Sequence, residues 1–149
     1  MNTGSLLQRP VGRALALALV GLTVFAACGS DDDAGGDAGG GPVAGTTWTL
    51  TELDGEPVPD GVTVDLTFDG ERISGSSGCN QYTTAATFDD GEVTVDPVIA
   101  GTMMACEPPA SDMESAYLAV LGEVSGYSVE DSTLTLVDAD DTTRAVFSG

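Results

Sequence analysis

The 149-residue chain has no histidine and no lysine, a single tryptophan, and only four arginines. Without histidine it lacks the commonest general base, and without lysine the alternative amine base. Ser-His-Asp, Cys-His and Ser-Lys centres are therefore unavailable. So few cations also exclude nucleic acid as a partner, because that binding depends on Lys and Arg neutralising phosphates. A zinc site wants four ligands, and three cysteines without histidine do not supply them. What the chain has in quantity is acid and glycine, 24 Asp and Glu and 20 Gly.

These residues are unevenly distributed. Arg9 and Arg13 precede an apolar stretch from Ala14 to Phe25, and Ala26-Ala27 supply small residues before Cys28. That is the layout of an export signal, removed rather than folded. The rival reading is a permanent anchor, but the run falls short of the roughly 20 residues that cross a bilayer. Phe25-Ala26-Ala27-Cys28 resembles the bacterial lipobox, whose cysteine receives a diacylglyceryl thioether, with Phe where Leu is more usual. Ordinary cleavage after Ala27, leaving Cys28 a free thiol, is the alternative. Gly29 to Gly45 weighs against it: glycines and Asp31-Asp32-Asp33 leave almost nothing to bury, as in a flexible tether. About 17 such residues have a root-mean-square reach of roughly 20 to 25 Å. The expected organisation is a signal peptide over 1–27, a lipidated cysteine and tether over 28–45, and one domain over 46–149. The expected location is the extracytoplasmic face of a membrane, reached through lipid on Cys28.

All 24 carboxylates follow Cys28, against only Arg72 and Arg144, so the mature chain carries a net −22. Anionic headgroups repel such a domain, leaving the lipid as its hold on the surface. Crowded carboxylates also predict stability that rises as pH falls from neutral toward about 5, and with added salt.

From Thr46 onward, short alternating runs are separated by turn residues. Thr46–Leu53 turns Trp48 and Leu50 to one face, and Val62–Phe68 does the same with Val62, Val64, Leu66 and Phe68. Asp69-Gly70 then predicts a type I′ hairpin into Glu71–Gly75, because that turn needs positive φ at both central residues. Gln81–Phe88 and Glu92–Val98 pair through Asp89-Asp90-Gly91, and Ser132–Val137 and Thr142–Phe147 close the chain. One helix interrupts, with Ser111 predicted as its cap, Glu114 reaching back to the cap amide, and Pro108-Pro109 blocking upstream extension. Met113, Tyr117, Leu118, Leu121 and Val124 form its core-facing stripe. The fold class is mainly β: a small antiparallel, barrel-like sheet with one amphipathic helix.

With Cys28 taken by lipid, Cys79 and Cys106 are left to pair with each other in an oxidising compartment. A redox couple or a metal site fits worse, for want of C-x-x-C spacing and of further ligands. Around these cysteines, Ser74-Gly-Ser-Ser-Gly-Cys79-Asn80-Gln81-Tyr82 and Thr102-Met-Met-Ala-Cys106, followed by Met113-Glu114, resemble the META domain family, also called HslJ-like. The resemblance extends to Trp48-Thr-Leu50, Leu53-Asp-Gly55, Tyr127, Leu134 and Leu136, although Gln81 stands where the family often has Arg. It implies a compact antiparallel barrel with a helix, usually exported or lipidated. It also implies a link to stress or antibiotic tolerance, occasionally motility or virulence, and no established reaction.

Chemistry is hard to find. Paired carboxylates for glycoside hydrolysis lack an apolar setting to raise one pKa. Asp138-Ala-Asp140-Asp141 and Asp31–Asp33 do not follow a calcium-loop spacing, and Gly35–Gly41 lacks the lysine of a phosphate loop. Asn80, Gln81 and Tyr82 are the candidate recognition cluster. The alternative is that Asn80 satisfies local backbone and Tyr82 packs on the sheet. No catalytic residue, no metal and no cofactor is expected. The expected function is a non-enzymatic envelope lipoprotein, a surface binding or accessory module whose partner is an unknown envelope protein or small ligand. A purely structural domain docking another envelope protein is the alternative.

Overall fold

The computed structural model describes residues 41–149. The signal segment, Cys28, most of the tether and Asp31–Asp33 lie outside the described residues. Ten strands and one helix follow in chain order: β1 Thr47–Leu53, β2 Glu56–Pro57, β3 Asp65–Phe68, β4 Arg72–Ser76, β5 Gln81–Asp89, β6 Glu92–Val95, β7 Ala100–Gly101, α1 Ala110–Leu121, β8 Val124–Glu130, β9 Thr133–Asp138 and β10 Thr143–Ser148. Neighbours run β10-β9-β8-β6-β5-β4-β3-β1, and β10 pairs back onto β1, so eight antiparallel strands close a barrel. Closure removes the edges an open sheet would expose. Two short strands stay outside the ring: β2 pairs only with β1, and β7 only with β5.

Alternation along each strand fills the interior. In β5, Tyr82, Thr84, Ala86 and Phe88 point inward and the residues between them outward. Trp48, Leu66, Phe68, Ile73, Leu134 and Phe147 join them, and α1 adds Tyr117, Val120 and Leu121. Each such large side chain contributes about 1.5 to 3 kcal/mol on burial. Aromatic rings run through this core, with Phe68 and Phe88 centroids 4.7 Å apart and Phe88 and Tyr127 5.1 Å apart. Gly75 is required by close approach, since a Cβ there would collide with the Asp65 carbonyl.

Several expected boundaries shift. The folded part begins before Thr46: Val43 is fully buried, its carbonyl accepts the Trp48 indole N–H at 3.1 Å, and Ala44 bridges to Phe68. An apolar Val-Ala pair placed beside the barrel mouth packs rather than trailing as tether. The β3–β4 hairpin exists, but its central pair is Gly70-Glu71. Asp69 N–H donates to Arg72 O at 3.1 Å, and Asp69 Oδ1 accepts from Glu71 and Arg72 N–H at 2.9 and 2.7 Å. The paired positive φ expected there occurs instead at Asp54-Gly55 and Asp90-Gly91. β6 stops at Val95, leaving Val98 in a loop.

At α1, the expected capping box is absent. Pro109 occupies the cap position, no side chain caps the helix, and the helix ends at Leu121, with Val124 opening β8. The helix starts at Ala110, which puts Ser111 inside it and Glu114 beyond the N3 position, and the Glu114 carboxylate instead meets Ser77 and Asn80 in the turn between β4 and β5.

Candidate functional site

The Cys79–Cys106 disulfide, with Cα atoms 6.0 Å apart, ties the turn before β5 to the segment between β7 and α1. Against it sits Asn80, which is 5% exposed. Its Oδ1 accepts from Thr102 Oγ1 at 2.8 Å and Met104 N–H at 2.7 Å, while its Nδ2 donates to Met104 O at 3.2 Å and Glu114 Oε1 at 3.0 Å. Both lone pairs and both amide protons are used, so the residue is fully satisfied. It pins the 102–104 segment on one side and α1 on the other.

Glu114 completes the arrangement from the helix. Oε2 accepts the Asn80 N–H at 2.9 Å and lies 2.5 Å from Ser77 Oγ. Ser77 has one hydroxyl proton and also lies 2.8 Å from Asn80 O. The charged oxygen is the stronger acceptor. Burial alone would raise the Glu114 pKa, but the Ser77 hydroxyl and the two Asn80 donors outweigh it and hold the carboxyl below its ordinary value. A carboxylate so occupied is a poor proton acceptor.

Beneath this cluster, Tyr82 and Tyr117 meet at 2.6 Å between hydroxyls, with rings edge to face at 5.4 Å. Tyr82 donates to Asp65 O at 3.2 Å, so Tyr117 donates to Tyr82. Desolvation pushes both phenols well above the ordinary tyrosine pKa. Of the candidate cluster, Asn80 and Tyr82 therefore face inward and Gln81 alone is exposed. Ser77, Thr102 and Glu114 join them, and no sequence pattern points to that grouping. The one available signal was that a buried Asn beside a turn must find partners for four hydrogen bonds.

Outside this cluster, the fold leaves an open strand. Thr102 N–H donates to Gln81 O at 3.0 Å, and the register pairs Thr83 with Ala100 and Tyr82 with Gly101. The N–H and C=O of Ala100 thus face β5, and those of Ile99 and Gly101 turn outward. A groove of about 310 Å³ adjoins them, lined in part by Ile99, Gly101, Met103, Leu118 and Glu114. The large hydrophobic side chains exposed among the described residues all lie around this strand: Val98 at 76%, Met103 at 96% and Met104 at 63%.

The family model for the META domain matches residues 41–148. The chain belongs to the META domain family. An NMR structure of a protein from Burkholderia xenovorans is similar to it at 28% identity and a TM-score of 0.57, over 72% of this chain and 83% of that one. A second protein solved by NMR, 24% identical with a TM-score of 0.54 over 68% and 86% of the two chains, is alike in fold. No curated protein matches. In this META domain no three His, Cys, Asp or Glu side chains come together as a metal site among the described residues. The acidic run at 138–141 is a turn, in which Asp138 Oδ1 accepts from Asp140 and Thr142 N–H, each at 3.0 Å.

Proposed function

We propose that this protein is a cell-envelope lipoprotein, held by lipid on Cys28 at the extracytoplasmic face of a membrane. Its META domain serves there as a non-enzymatic binding or accessory module supporting tolerance of envelope stress or antibiotics. The observation that carries the non-enzymatic reading is the commitment of the buried and half-buried polar groups beside the Cys79–Cys106 disulfide. Asn80, Ser77, Thr102 and Glu114 are all engaged in holding chain segments together. The lipobox-like Phe25–Cys28 and the glycine- and aspartate-rich segment after it support the anchored location.

Labelling cells with a radioactive fatty acid and fractionating them tests the proposal. Wild-type protein is expected to carry label and to sediment with membranes, and Cys28→Ser protein to lose both. Membrane retention of Cys28→Ser with an uncleaved signal would establish a transmembrane anchor instead. Deletion of the protein is expected to increase sensitivity to envelope-directed antibiotics, with rescue by the wild type and not by Cys28→Ser.

A further inference from the structure

We infer that the outward edge of β7 is a docking site for an extended, cationic segment of a partner polypeptide, which adds to β5–β7 as a further strand. The inference rests on the reading of this domain as a binding module and names the class of partner.

The edge is available and prearranged. Among the described residues, two short strands outside the closed ring have a single neighbour. β2 is blunted by Pro57, whereas the outward N–H and C=O groups of Ile99 and Gly101 are without hydrogen-bond partners among the described residues. An unpaired row of this kind is a template for strand addition. The backbone on either side is held firmly. Thr84 Oγ1 lies 3.0 Å from Val98 O, and Val98 N–H donates to Asp96 Oδ1 at 2.8 Å. Asn80 holds both the N–H and C=O of Met104. Val98 and Met104 are thus presented to solvent from held backbone, with Met103 between Met104 and the anchored Thr102, so little backbone entropy is lost when they are covered.

Charge decides the occupant. The described residues carry 20 Asp and Glu against Arg72 and Arg144, and Arg144 is already engaged by three carboxylates. Glu114 lines the groove with its charge met by neutral donors alone. A second copy would bring two strongly acidic surfaces together, and an anionic membrane is repelled likewise. A segment alternating basic and apolar side chains satisfies the edge, the hydrophobic side chains and the charge together.

The test uses the full chain in detergent and a fluorescein-labelled heptapeptide of alternating arginine and valine, followed by anisotropy and amide exchange. Saturable binding that weakens with salt and slows exchange at Ile99 and Gly101 is expected. Val98→Ser and Met103→Ser, both at exposed positions, should each weaken it roughly tenfold. A peptide with the same side chains but every backbone nitrogen methylated should fail to bind. Equal binding of the methylated peptide, equal binding of a glutamate-valine counterpart, or unchanged exchange at Ile99 and Gly101 would overturn the inference. So would a dimer of the chain alone that protects those amides, or vesicle binding abolished by Met103→Ser without peptide binding. Fatty-acid labelling reads the anchoring separately, so peptide binding by a protein that proves unlipidated would leave the docking site standing.

Discussion

The seam that closes the barrel and the junction that attaches β7 and α1 to it are held by different means. Where β1 meets β10, a backbone ladder running from Thr49–Ser148 to Leu53–Ala145 does the joining, and Arg144 lies over it with carboxylates exposed to water. Where β5, β7 and α1 meet, β7 contributes only two paired residues, and the contact is made by a disulfide, a buried asparagine and a half-buried glutamate. Ladder hydrogen bonds are repeated and mutually supporting, so no single side chain is decisive at the first junction. At the second, each group is single and at least partly buried, and removing one leaves others unsatisfied. Side-chain substitutions should therefore cost much at the second junction and little at the first.

The largest effect is expected from Cys79→Ala with Cys106→Ala. Freeing the 27-residue separation between these cysteines relaxes the unfolded chain by about 3 to 4 kcal/mol in the chain-entropy model. Urea melts of the double variant and of reduced wild type should agree. A loss under about 1 kcal/mol would mean that the Asn80 cluster alone secures the junction.

Asn80→Leu comes next. It leaves Met104 N–H, the Thr102 hydroxyl and one Glu114 oxygen short of a partner, at a cost of about 3 kcal/mol with the disulfide intact. An unchanged melt would show that water replaces the amide and that the two junctions do not differ in kind.

How far the sequence revealed this contrast depends on the type of signal. Alternation exposed β1, β3, β4, β5, β6, β9 and β10, because a barrel wall buries every second residue and Val-Thr-Val or Leu-Thr-Leu cannot do otherwise. β8 escapes this signal because a bulge between Val124 and Gly126 breaks the period of two, so that Val124 fits the end of the helical stripe. Asn80 was visible as a residue that bonds local backbone. Glu114 is hidden from such local signals, since Ser111-x-x-Glu114 fits a capping box and only the tertiary fold offers it Ser77 and Asn80 instead. β7 left no periodic trace, being two residues held from one side.

Glu114→Gln sharpens the comparison through pH. The folded carboxyl is held below its ordinary 4.5. Its stabilisation is therefore complete above that value and is lost as pH falls through the folded pKa. The glutamine amide would set a donor against donors, costing about 2 kcal/mol at pH 7, and the gap from wild type should narrow as pH falls through the folded pKa of Glu114. Asp69 and Asp138 are also lowered, chiefly by backbone N–H groups of Glu71 and Thr142 respectively, and shift stability in the same direction. Wild-type stability should therefore fall as pH drops through the folded pKa values of these three carboxyls. A gap between variant and wild type that stays constant across the whole acidic range would show that Glu114 acts through shape rather than charge.

The smallest effect is expected at the other junction, from Arg144→Gln. Nε lies 2.6 Å from Asp54 Oδ1 and one terminal nitrogen 2.6 Å from Glu123 Oε2, yet those partners are 49% and 56% exposed. Water and salt screen such pairs, and ordering long side chains offsets most of what remains. The main-chain bond from Asp54 N–H to Arg144 O, at 2.7 Å, survives the substitution. Asp138 also keeps its Thr142 and Asp140 donors and stays below the ordinary carboxylate range without the guanidinium. What the variant does lose is the cation between three carboxylates, so the destabilisation should be greatest at low ionic strength and shrink as salt screens their repulsion. Urea midpoints at low and high salt, compared with those of Asn80→Leu, provide the measurement. A salt-independent loss as large as that of Asn80→Leu would mean that the β1–β10 ladder does not close the barrel unaided.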